Sequence, residues 1–112
     1  MMLCDSHGHL QMLEAGRREE VLARARAAGV ERILIPGTTV EDSHRAVEAA
    51  ESAPGLYAAV GVHPHEARDF DPDRDLKIFE ELLRSDKVVA VGEIGLDFHY
   101  DLSPRQIGRA HV

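Results

Sequence analysis

Short apolar runs alternate along this chain with segments of helical period. Residues 3–7 predict a first strand. Over 17–28, Val21, Leu22, Ala25 and Ala28 fall on one helical face, and Gly29 stands just past them as a helix cap would. Residues 31–35 predict a second strand, closed by Pro36-Gly37. Thr39 is placed to cap a helix over 41–53, whose apolar stripe is Ala46, Val47 and Ala50. A third strand is predicted over 56–61. Asp71-Pro72 then reads as a cap followed by a first-turn proline, opening a helix with Leu76, Phe79, Leu82 and Leu83 as its stripe. Residues 87–92 make a fourth strand. The run Val88-Val89-Ala90-Val91 is apolar throughout, as in a parallel sheet covered by helices.

Four strands alternating with helices mean an α/β fold. A doubly wound sheet is complete with about this many strands, whereas a TIM-type barrel needs eight and about 250 residues. The first strand is followed by no glycine-rich phosphate loop, which weakens the dinucleotide-binding version.

Composition narrows the functional classes. Of 112 residues, 44% are hydrophobic and 29% charged, which suits one globular domain rather than a disordered chain. Thirteen Lys and Arg against twenty Asp and Glu give 13 − 20 = −7, against a broad nucleic-acid-coating surface. A local phosphate site whose positive charge comes from a metal stays open. The single Cys4 excludes an intramolecular disulfide, and its parity predicts that it packs under a helix. The first residues carry no basic, apolar leader, and no run approaches the ~20 apolar residues of a membrane helix. The expectation is a cytoplasmic protein with no membrane attachment and no obligate protein partner evident.

Chemistry gathers at strand ends. His7 and His9 are two apart, and strand alternation would turn both imidazoles to one side, close enough to share a metal ion. By itself a His-x-His pair is a weak signal. After the third strand comes Gly61-Val62-His63-Pro64-His65, and after the fourth Gly92-Glu93-Ile94-Gly95-Leu96-Asp97. Three of four predicted strands thus end in groups able to bind metal or move protons. Successive parallel strands that carry chemistry at their C-terminal ends favour the barrel.

Asp5-Ser6-His7-Gly8-His9-Leu10, Ile35-Pro36-Gly37-Thr38, Ala59-Val60-Gly61-Val62-His63-Pro64-His65 and Val91-Gly92-Glu93-Ile94-Gly95-Leu96-Asp97 resemble, in order and spacing, the signatures of the TatD family of metal-dependent deoxyribonucleases, which are amidohydrolase-like barrels. The resemblance runs from residue 3 to about 105. It implies divalent metal ions, two of them and of the Mg, Mn or Zn kind, and a substrate of DNA trimmed at its 3′ end. It implies that His7, His9 and Glu93 are metal ligands, Glu93 being suited to span two cations with its two carboxylate oxygens. It further implies that His63 contacts the scissile phosphate, with His65 a weaker substrate-binding candidate. Asp97 and Asp5 are placed to orient a ligand through a hydrogen bond.

Two histidines and the aspartate that would act as general base come, in that family, from the second half of the barrel. On this reading residues 1–105 are the N-terminal half, about four βα units of eight, and 106–112 are a tail foreign to the family, with His111 no ligand. A chain of this extent is expected to be inactive alone. Two other readings stay open: an amide or ester hydrolase on a related barrel, and a fragment without catalysis. His44 and His99 are expected to be a solvated helix residue and a loop residue. Arg17-Arg18-Glu19-Glu20 is expected to be a solvated first turn.

Overall fold

A computed structural model of the chain describes residues 1–100 and 102; the expected tail at 106–112, with His111, lies outside the described residues. Four strands form one parallel sheet in the order β1-β2-β3-β4: β1 Leu3–Asp5, β2 Val30–Pro36, β3 Leu56–Val60 and β4 Val88–Val91. Three α-helices connect them: α1 Ala15–Ala27, α2 Val40–Glu51 and α3 Pro72–Leu82. Two 3₁₀ helices, Leu10–Met12 and Pro64–Asp69, follow β1 and β3.

Local chemistry sets the helix ends. Thr39 caps α2 by accepting the Asp42 N–H, and the Asp71 side chain caps α3 ahead of Pro72 by accepting from Asp73 N and Arg74 N. Gly29, two residues past the end of α1, has φ +92, a conformation that a side chain would oppose.

The core lies between the sheet and its helices. Ile33 and Ile35 of β2 and Leu56, Ala58 and Val60 of β3 meet the predicted α2 stripe of Ala46, Val47 and Ala50. Ile35, Ala46, Ala50 and Ala58 are wholly shielded from solvent. The α2 stripe is therefore the inward face the sequence pattern indicates. The other two stripes differ. In α1 only Leu22 is buried, and in α3 Leu82 is buried while Leu76 and Leu83 are exposed. Helical period identifies the apolar side of a helix but not whether another element covers it. Cys4 is also exposed, contrary to its expected place under a helix. It lies on a three-residue strand at the sheet edge whose residues are all exposed.

Arg18 is more than a solvated residue. Its guanidinium donates to the carbonyls of Leu10 and Leu13, tying α1 to the 3₁₀ turn after β1. Among the described residues, no helix is long and apolar enough to cross a membrane.

Candidate metal centre

The loops at the C-terminal ends of the four strands are laced together by main-chain bonds. Gly8 N donates to Leu34 O at 3.0 Å, Gly37 N to Ala59 O at 2.9 Å, and Gly92 N to Val60 O at 2.9 Å. His63 N donates to Thr38 O at 2.8 Å, and Glu93 N to Gly37 O at 2.7 Å. Gly61 lets β3 and the turn after β4 approach closely: a Cβ there would stand 2.7 Å from Gly92 C and 2.9 Å from Glu93 O. The residues that carry chemistry are thus fixed from their backbones outward.

His7, His9 and Glu93 converge. His7 Nε2 and His9 Nε2 are 3.0 Å apart, and Glu93 Oε2 lies 3.6 Å from the first and 3.7 Å from the second. Ligand bonds to a cation are about 2.1 Å, so neighbouring ligand atoms stand about 3.0 Å apart at a right angle and about 3.4 Å apart at a tetrahedral angle. The three atoms therefore fit a single divalent ion with little movement. Their side chains are 54%, 27% and 25% exposed, so the group opens to solvent on the His7 side.

The route to this geometry is not strand alternation. β1 stops at Asp5, and both histidines lie in the loop beyond it. The Asp5 carboxylate accepts the His7 backbone N–H at 3.0 Å, which turns the chain. His9 then opens the 3₁₀ helix Leu10–Met12. Asp5 is exposed and bonds to main chain, not to an imidazole.

The other carboxylate oxygen, Glu93 Oε1, faces His63 Nε2 at 3.4 Å. The His63 Nδ1 accepts the His65 backbone N–H at 3.1 Å. In its neutral form His63 must then carry its proton on Nε2, aimed at Glu93 and the shared space. His9, Thr38, His63, His65, Glu66 and Glu93 line one cleft of about 270 Å³.

Among the bonds of the described residues, those of Asp97 go to none of His7, His9 and Glu93. Its carboxylate pairs with His65 Nε2, joining the loop after β4 to the loop after β3. It also accepts the backbone N–H groups of His99 at 2.8 Å and Tyr100 at 3.0 Å. The Tyr100 N–H, then the His65 imidazole and the His99 N–H, lower the Asp97 carboxyl to about 2, with burial opposing. A carboxyl lowered by folding contributes stability that is fully present above its unfolded value near 4 and is lost as pH falls toward the folded one. Asp97→Asn is therefore expected to lower the urea midpoint at neutral pH. The gap from the parent should narrow as pH drops from about 4 toward about 2. A gap that stays constant over that range would separate Asp97 from the effect.

The sequence motifs did not single out Gln11 and Asp42, which are buried beside this group and bonded to each other at 2.9 Å. Asp42 carries one legible signal, its place three residues after the cap Thr39, where a carboxylate completes a capping pattern. Its side chain turns inward instead. Gln11 carries no such signal. His44 and His99 are exposed, as expected.

Known proteins resemble this chain over most of its length. The family model for TatD related DNase matches residues 4–109. An uncharacterized metal-dependent hydrolase, YabD of Bacillus subtilis, is 44% identical over 107 residues, covering 95% of this chain and 42% of the relative. A 3′-5′ ssDNA/RNA exonuclease TatD of Cronobacter turicensis is 42% identical over 86 residues, covering 77% of this chain and 32% of the relative. The crystal structure of YjjV, a TatD homolog from Escherichia coli K12, superposes with a TM-score of 0.86 at 37% identity, covering 97% of this chain and 43% of that one. The chain thus spans less than half the length of these relatives, and its four parallel strands correspond to part of their barrel. It belongs to the TatD family of metal-dependent hydrolases.

Proposed function

We propose that this chain supplies the His7–His9–Glu93 part of a two-cation site in a phosphodiester hydrolase that trims DNA from its 3′ end. The observation that carries the reading is the approach of three ligand atoms to within 3.7 Å of one another. Two neutral imidazole nitrogens and one carboxylate suit Mg, Mn or Zn. Glu93 can serve both cations, because Oε2 faces the histidine pair and Oε1 faces the open cleft. Bound there, divalent cations would polarise the phosphoryl oxygens and offset the charge that develops in an in-line displacement.

The protein's own groups do the positioning. His63 presents Nε2–H to the cleft and would donate it to a phosphate oxygen. His65, held by Asp97, would stand beside that phosphate. Asp5 would hold His7 through the main chain. The DNA substrate is supported by the exonuclease name of the Cronobacter turicensis relative.

The test is a chimera in which this chain replaces the matching 42% of the Bacillus subtilis hydrolase. Single-stranded DNA labelled at its 3′ end should be shortened in the presence of magnesium or manganese, and not after His7→Ala. Hydrolysis of a cyclic amide without DNA trimming would reverse the substrate assignment.

A further inference from the structure

The chain has three Phe, two Tyr and no Trp. Tyr57, Phe70 and Phe79 are partly buried, whereas Phe98 and Tyr100 are 50% and 56% exposed. Both exposed rings lie in the loop after β4, the loop that also bears Glu93. Asp97 fixes this loop twice: its carboxylate accepts the His99 and Tyr100 N–H groups, and it pairs with His65. The Tyr100 ring meets two imidazoles at steep angles. Its centroid is 5.6 Å from that of His65, at 85°, and 4.5 Å from that of His99, at 80°. His65 in turn lines the cleft of His63 and Glu93. The exposed tyrosine is therefore anchored to the rim of the cleft, within the span of one nucleotide.

A cleft that takes one phosphate of DNA must also hold the strand beside it. A basic groove is one means, but 13 Lys and Arg against 20 Asp and Glu leave few cations for it. Aromatic rings are the other. Every base has a π face, so stacking holds a strand of any sequence and releases no counterions. We propose that Tyr100 is a substrate-binding residue: its ring stacks with an unpaired base of the DNA strand whose phosphate enters the cleft. The proposal rests on the DNA reading of the site and assigns that site a single-stranded 3′ end. A base inside a duplex is stacked on both sides and offers this ring no face.

The test uses the chimera and single-stranded DNA, with KM and kcat read separately. Tyr100→Ala should raise KM about 10-fold and leave kcat nearly unchanged. Tyr100→Phe, which keeps the ring, should restore KM, and Tyr100→Leu, which keeps only apolar bulk, should not. The loss should be the same at about 50 and about 200 mM salt, because no phosphate contact is removed. An oligonucleotide whose 3′-terminal nucleotides lack bases should show the raised KM with the parent chimera. On that strand Tyr100→Ala should cost nothing further. A tyrosine that instead packs against the rest of the barrel would be replaced by Leu as well as by Phe, and its loss would not depend on bases in the substrate. Either result overturns the inference. Equal KM for intact and abasic strands in the parent overturns it without any variant, even where Tyr100→Ala does not fold. A chimera that trims no DNA would overturn the DNA reading of the site, and this inference with it.

Discussion

In the chimera, Glu93→Ala is expected to remove divalent-metal binding and hydrolysis together, whereas His63→Ala removes most hydrolysis and leaves metal affinity unchanged. The contrast follows from which atoms face the cleft. Glu93 provides the only charged oxygen among the three converging ligand atoms, and both of its oxygens are engaged on different sides. Its loss should exceed the about 10–100-fold cost of losing a partner that only orients a ligand. His63 has its Nδ1 lone pair occupied by the His65 N–H, so its neutral ring offers a proton, not a lone pair, at Nε2. A donor aimed at a developing phosphoryl charge is worth about 10²–10³ in rate when removed. Calorimetric titration with manganese and a 3′-end trimming assay read the two quantities separately. Loss of metal on His63→Ala would move that residue into the ligand set.

The order of elements and the crowding of chemistry at strand ends were legible in the sequence because both depend on local pattern. The Thr39 and Asp71 caps, the α2 stripe and the strand runs each need only a few consecutive residues. What the sequence hid was pairing across the chain. Asp97 finds His65, 32 residues away, and Gln11 finds Asp42, 31 away, with no periodicity to announce either bond. The convergence of His7 and His9 was expected for the wrong reason. The strand ends two residues before His7, and the Asp5 carboxylate and a 3₁₀ turn bring the rings together. The exposed face of α3 was hidden in another way. Leu76 and Leu83 have the spacing of a buried stripe, but whether anything covers them is set by elements that the helix itself does not encode.

That uncovered face leads to the remaining prediction: a polypeptide of these 112 residues is expected to self-associate and to show no metal-stimulated trimming of DNA. Val91 is 62% exposed, Val89 58%, Leu76 52% and Leu83 46%. With Phe79 and Ile94, three of these line an apolar groove of about 450 Å³ beside β4. Burying one such side chain fully is worth about 1.5–3 kcal/mol, so even partial covering of several by a second copy favours association. At the two ends of the described sheet, β1 and β4 each present one side without a partner strand, a template for pairing between chains. Catalysis is limited by a different shortage. Among the described residues only His7, His9 and Glu93 form a metal-competent group, too few to hold two cations and to position a water as well. Light scattering should report mass that rises with concentration, and 3′-labelled single-stranded DNA should stay intact with magnesium or manganese. A species that is monomeric at every concentration and trims DNA in a manner that His9→Ala abolishes would overturn both halves of this expectation. It would mean that the three strand-end loops that bear His7, His9, His63 and Glu93 assemble a sufficient active site without further strands.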